Sequence, residues 1–345
     1  MTAALFEAIA AHDDLLERLA ALPPDRLPAL LASAAITFIA RRDRPVPLIG
    51  YFPEPEGPQP QFDEGFFPAF RAFCAARLED IIDVCRGRRY QMNEVARCSQ
   101  IALGIAATSG GSTDPVILVD LGTGAGFGLQ LDRYRYRIGL GTYGPGEAGL
   151  SLACEVRGPV VPPPARLPRI TGRVGVELDP VDLENQAARA WLEACTPQEA
   201  SALSRLAAAT DIARRHPGRI IAGDVIDVLP SVLGSIPPGQ RITVVDAYMA
   251  VFLSDQRRAQ LVGILAEAGR SHPVTWLSLD PLVPLGPSGC DSVQDLALPA
   301  ALVRDYQQNG VFAVLGARIF DGTGDHKRLL ARAHPSGGWI EWLSP

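Results

Sequence analysis

The chain has 345 residues, 47% hydrophobic and 20% charged, with a formal net charge of -6. At roughly 150 residues per domain this is room for two domains, and a chain of this size buries an adequate core without disulfides or a structural metal. The acidic balance argues against nucleic acid as the main partner, which needs clustered Lys and Arg. No apolar run reaches the roughly 18 residues of a membrane span.

The first third reads as helical. Leu5, Ile9, Leu15, Leu16 and Leu19 share one side of a helix starting near Thr2. Pro23 and Pro24 end it, and Asp25 is placed to cap a second helix running to about Arg42. The N-terminus carries acids just after its apolar stretch and no basic region before it, so it does not read as a secretory signal. A proline-rich loop follows, with Tyr51, Phe52, Phe62, Phe66 and Phe67, and helices resume at about 66–85 and 93–108. The break at 109–114 (SGGSTD) sets the expected division: a helical domain over 1–112 and a second domain over 113–345.

The middle alternates strands and helices. Apolar runs at 116–120, 174–177, 219–222, 242–246 and 274–279 read as strands, with helical patterns at 197–215 and 255–269. Strands separated by helices imply a parallel sheet covered on both faces. The end of the chain changes to runs at 312–320, 328–333 and 339–342. They are joined by Asp321-Gly322-Thr323-Gly324 and Ser336-Gly337-Gly338, turns that suit antiparallel hairpins. The expected fold class is α/β: a Rossmann-like, mostly parallel sheet with antiparallel C-terminal strands, plus an N-terminal helical domain.

Six cysteines stand without a Cys-x-x-Cys pair and no His has zinc-finger spacing, so no metal site is expected and a reducing cytoplasm suits the thiols. The histidines are dispersed, and Ser109-Gly110-Gly111-Ser112 lacks the nucleophile pattern of a hydrolase.

The segment Asp120-Leu121-Gly122-Thr123-Gly124-Ala125-Gly126-Phe127-Gly128 is the most informative. Glycines leave backbone N–H groups open to a ligand, and the turn falls between a strand and an expected helix, where doubly wound sheets bind ligands. Acids end three more strands of the pattern. Glu177 is placed for ribose hydroxyls, Asp224 with Val225 for an adenine, and Asp246 for the reaction centre. Each alone also reads as a helix cap. An acid at the turn repels a pyrophosphate and suits an ammonium group, which ranks a nicotinamide dinucleotide last.

The Asp-x-Gly-x-Gly-x-Gly order resembles motif I of class I S-adenosylmethionine-dependent methyltransferases. Asn93-Glu94-Val95-Ala96-Arg97, the glycine turn, Asp132-Arg133-Tyr134-Arg135-Tyr136, Cys154-Glu155-Val156-Arg157-Gly158-Pro159, Arg173 to Pro180, Gly223-Asp224 with Leu229-Pro230, and Trp276 to Pro281 go further. In this order they resemble an uncharacterised bacterial family whose fold looks like a class I methyltransferase with a helical extension. The resemblance spans about residues 1–345. It implies S-adenosyl-L-methionine as cofactor, held by Asp120, Gly122, Thr123, Gly124, Gly126, Glu177, Asp224 and Val225. It also implies that Arg97, with Asn93, meets the cofactor's carboxylate.

Asp246 and Tyr248 are the residues placed to act on an acceptor. Some 57 positions separate Asp120 from Glu177, against roughly 20 in a compact nucleotide-binding unit. The excess, about 138–170, reads as an inserted hairpin or lid, or as a plain surface insertion. Tyr134 and Tyr136, among Arg133, Arg135 and Arg137, read as a solvated helix end with the rings on different faces.

The function expected is a cytoplasmic methyltransferase acting on a small molecule in a pocket enclosed by the helical region, without membrane or nucleic-acid partners. Two alternatives stay open. One uses the same cofactor for cyclisation or carbon-chain transfer; the other is a non-catalytic interaction protein on this fold.

Overall fold

The computed structural model describes residues 1–55, 57, 60–112, 114–285, 289–310, 312–322 and 324–343. Thr113 of the expected domain break and Thr323 of the expected hairpin turn lie outside the described residues. The helices and strands run in order α1 (Thr2–Ala10), α2 (Asp13–Leu19), α3 (Pro28–Arg42), α4 (Phe66–Gly87), α5 (Cys98–Thr108), β1 (Val116–Leu121), β2 (Arg135–Ile138), β3 (Gly141–Tyr143), β4 (Ser151–Arg157) and β5 (Ile170–Glu177). Next come α6 (Gln186–Cys195), α7 (Ala200–Arg215), β6 (Arg219–Ala222), α8 (Val225–Gly234), β7 (Arg241–Ala247), α9 (Asp255–Ala268) and β8 (Val274–Asp280). The small pair β9 (Val283–Leu285) and β10 (Gly289–Asp291), then α10 (Ala300–Asn309), β11 (Ala313–Phe320), β12 (Asp325–Ala333) and β13 (Trp339–Trp342), complete the chain.

Two compact units result: Met1–Asn93 with Val181–Asp211, and Glu94–Pro180 with Ile212–Pro345. The first is helical. Its central helix α3 starts on a proline, which suits a first helical position, with Leu27 rather than Asp25 at its N-cap. It buries Leu31, Ala32, Ala35, Ile36 and Ile39 against Leu5, Leu15, Phe66, Phe70 and Ile81. Helix α6 returns to this unit because Trp191 Nε1 donates to Arg89 O at 2.9 Å and the Tyr90 hydroxyl to Cys195 O at 2.6 Å.

The expected boundary near residue 112 therefore falls inside the second unit. Helix α5 is buried on all sides over Cys98–Ala106 and packs on β4, β8 and β11. An apolar helix without a polar face cannot sit at a unit's edge.

The second unit is built on one 11-stranded sheet, in the order β3-β2-β4-β13-β12-β11-β8-β7-β1-β5-β6. From β8 to β6 the strands are parallel. Starting at β1 the chain moves outward to β5 and β6, then crosses back to β7 and β8 on the other side. This is the doubly wound, Rossmann-like arrangement with its switch point between β1 and β7, outside whose C-terminal strand ends such sheets bind ligands. β11 and β12 add antiparallel strands, as their turn chemistry suggested.

Two local readings are corrected. The glycine turn does not open an α-helix; it leads into a 3-10 helix at Gly128–Arg133. Alternate glycines oppose helix formation, and the alternating Tyr134 and Tyr136 draw the next residues into β2. Both tyrosines are fully buried on one side of that extended segment, their hydroxyls donating to Phe127 O and Leu131 O at 2.9 and 2.6 Å. The stretch after β2 opens with the expected hairpin, β2 with β3 antiparallel, but it is not a lid, because β4 pairs with β2 and with β13.

Among the described residues no helix is long and apolar enough to cross a membrane. Nor, among the described residues, is any group of three His, Cys, Asp or Glu side chains placed to hold a metal.

Candidate functional site

The glycine turn leaves β1 at Leu121 and is pinned to β5, since Gly122 N donates to Val176 O at 2.8 Å. Gly122, Gly124 and Gly126 all have left-handed φ, at 67, 57 and 78°. A Cβ on Gly122 would also stand 2.7 Å from Met249 Cγ, so that position admits no side chain. Gly128 serves closeness instead: a Cβ there would lie 2.4 Å from Asp120 Oδ2.

Asp120, at the end of β1, is 8% exposed. Its one hydrogen-bond donor among the described residues is the Thr123 hydroxyl, 2.6 Å from Oδ2. Burial, and secondarily the Glu177 carboxylate, raise its pKa from 3.8 to about 7 against the pull of Thr123. A carboxyl so placed is short of a cation. Glu177, at the end of β5, accepts from Gly124 N at 2.8 Å and from Asp179 N at 3.1 Å, which ties the turn to the neighbouring strand.

Asp224 is the N-cap of α8 and accepts from Ile226 N at 2.9 Å. Arg257 of α9 pairs with the same oxygen, Oδ1, so the bland capping role foreseen for strand-end acids holds here. Val225, the first residue of α8, is buried in the apolar core with Leu229 and Val244. Asn93 ends the first of the two segments that make up the helical unit.

Strand register separates the other two acids. Leu121 pairs with Asp246 and Asp120 with Val245. Alternation along a strand therefore sends Asp120 and Asp246 to opposite faces of the sheet. Asp246 has no exposed surface, which corrects its expected place beside an acceptor. It lies under the α8–α9 layer, accepting from Trp276 Nε1 at 2.7 Å and Ala250 N at 3.2 Å. Burial, and then the neighbouring Asp280 carboxyl, hold its pKa well above the usual range.

Asp280 was missed as a site residue. It ends β8, takes the Ser278 hydroxyl at 2.7 Å and Val251 N at 3.3 Å, and is 2% exposed. The signal was present in Trp276-x-Ser278-x-Asp280, whose period of two puts all three on one face.

Tyr248 leaves the end of β7 with a left-handed φ of 64°, a strained conformation for a tyrosine. Its backbone N donates to Leu279 O at 3.0 Å. The Arg97 guanidinium stands 3.9 Å from its ring centroid, a cation–π contact. Burial pushes the Tyr248 hydroxyl up to about 12, so it keeps its proton at neutral pH and can donate a hydrogen bond. Arg97 itself is nearly buried, its Nε donating to Pro335 O at 2.6 Å. The structure thus groups Asp120, the glycine turn, Glu177 and Met249 at the switch point, and Arg97 with Tyr248 beside it. Asp224 and Val225 are built into the base of α8.

A 650 Å³ groove between α8 and α9, lined by Ile226, Pro230, Leu233, Ile264 and His272, includes no residue of the turn.

A family model described as "Uncharacterized protein conserved in bacteria (DUF2332)" matches residues 1–342. No curated protein matches the chain. Among solved structures, the magnesium protoporphyrin IX methyltransferase (ChlM) of Synechocystis PCC 6803 with bound SAM is similar over 65% of this chain and 76% of its own, at 10% identity and a TM-score of 0.25. That likeness is too slight to bear on activity.

Proposed function

The chain belongs to this DUF2332 family of bacterial proteins, and we propose that it binds S-adenosylmethionine at the glycine turn and methylates a small molecule. The observation that carries this reading is Asp120: a buried carboxyl with a single donor, beside a turn stripped of side chains. An amino acid's ammonium group supplies the missing cation, and the left-handed glycines let its carbon skeleton approach the backbone. Phosphate in that place would meet the same carboxyl as a repulsion.

The remaining residues fit the rest of the cofactor. Glu177 holds its carboxylate at the rim by two backbone N–H groups and keeps lone pairs for ribose hydroxyls. Asp224 engages both its partners through Oδ1, leaving Oδ2 for an adenine amino group. Arg97 is the cation suited to the cofactor's carboxylate. When bound, S-adenosylmethionine supplies a methyl carbon on a positively charged sulfur. Transfer from it needs in-line alignment and exclusion of water more than acid or base catalysis. Tyr248, protonated and held by Arg97, is suited to orient an acceptor through its hydroxyl. A small acceptor is preferred over nucleic acid because the net charge is -6.

Calorimetry of the full chain with S-adenosylmethionine tests the reading. Saturable binding, abolished by Asp120→Ala with the fold intact, is expected. No heat of binding at millimolar cofactor refutes it.

A further inference from the structure

Asp246 and Asp280 end adjacent parallel strands, and both side chains have almost no exposed surface. Neither pairs with a cation among the described residues. Their remaining contacts converge on one short segment: Ala250 N donates to Asp246 Oδ1 and Val251 N to Asp280 Oδ1. These consecutive N–H groups open the 3-10 turn Ala250–Phe252. Directly before it stand Tyr248, under Arg97, and Met249, whose side chain lies against Gly122.

We propose that Asp280 is a positioning residue: with Asp246 it forms a two-carboxyl clasp on the Ala250–Val251 backbone, and so sets Tyr248 and Met249 against the glycine turn. The consequence for cofactor affinity rests on the reading given under Proposed function; the clasp itself does not.

The protons balance within the pair. One proton shared by the two carboxyls joins them, while Asp280 also accepts from the Ser278 hydroxyl and Val251 N. Two charges in this place would repel each other without a counterion, so one proton is part of the clasp. The charged and titratable groups on the surrounding elements are otherwise engaged. Arg97 covers the Tyr248 ring, Arg257 pairs with Asp224, Arg258 with Asp255, and Arg318 of β11 with Asp325. Asp120 on β1 points to the opposite face.

The test compares wild type with Asp280→Asn and Asp280→Ala in the full chain. Asparagine can donate to Asp246 and accept from Val251; alanine can do neither. Hydrogen exchange at Ala250 and Val251 is expected to stay near wild type in Asp280→Asn and to rise about tenfold in Asp280→Ala, with β1 and β8 still protected. Wild-type protection in the alanine variant, or equal loss in both, overturns the clasp. The Trp276 indole N–H, bonded to Asp246, gives a second readout that needs no ligand. Its pH midpoint in nuclear magnetic resonance is expected to fall by at least about one unit in Asp280→Asn, because the repelling charge is gone. An unchanged midpoint overturns the pairing, and this arm decides if the alanine variant does not fold.

S-adenosylmethionine affinity is expected to weaken about tenfold in Asp280→Ala and to recover in Asp280→Asn. Full affinity with a loosened loop overturns the positioning role. A wild type that binds no cofactor fails the cofactor reading alone, and exchange and indole shift still decide the clasp.

Discussion

Replacing Asp120 by asparagine separates the cost of a buried acid from its use. The substitution keeps shape and keeps an oxygen for the Thr123 hydroxyl, but it cannot ionise. In the folded wild type the pKa stands at about 7 instead of 3.8. A group raised in this way contributes fully below its unfolded value and loses that contribution as pH climbs through the folded one. At about 1.36 kcal/mol per pH unit the loss between pH 4 and pH 7 is about 4 kcal/mol.

The variant is spared this loss. The melting temperature of Asp120→Asn minus that of wild type is therefore expected to grow by roughly 5–10 °C from pH 4 to pH 8. A series of thermal melts measures it. Parallel curves, with the gap constant to within about 1 °C, would refute the placement of an under-partnered carboxyl at the turn. The same geometry makes binding of a cationic ligand release a proton near neutrality. Affinity for S-adenosylmethionine in wild type is thus expected to rise between pH 6 and pH 7.5, and titrations in buffers of different ionisation heat count the proton.

Gly122→Ala forces a side chain into a left-handed position 2.7 Å from Met249 Cγ, and chemical denaturation should show a loss of about 1–3 kcal/mol. Tyr136→Phe strips Leu131 O of its 2.6 Å donor. A loss of about 1–2 kcal/mol in the same assay is expected, with cofactor affinity unchanged; an unaltered midpoint would place that hydroxyl in contact with water. Glu177→Ala frees the Gly124 N–H, and calorimetry should find affinity for S-adenosylmethionine reduced about tenfold or more with little change in melting temperature.

Much of the sheet unit was legible. The five parallel strands, the antiparallel end and the glycine turn are recorded in runs of apolar residues and in turn chemistry, which act over a few neighbours. The site was legible only in part. Asp120 and Glu177 stand where strand ends and glycines indicated. Asp246 stands at its strand end as well, but a strand end alone does not say which face its side chain takes; pairing with Leu121 decides that. Tyr134 and Tyr136 were misread because alternation next to a glycine turn fits a helix end or a short strand equally well until β4 arrives to pair with β2.

Local chemistry along this chain determined the class of its elements, the position of the turn and the acid that faces it. Those features depend on backbone freedom and periodicity, which a sequence carries directly. Only the tertiary structure decided that Val181–Asp211 returns to the helical unit, that α5 belongs to the sheet, and that Asp246 meets Asp280. Each of these is a contact between residues far apart in the chain. Such a contact depends on which buried polar groups find a partner once the layers close, and nothing in the neighbouring residues records it.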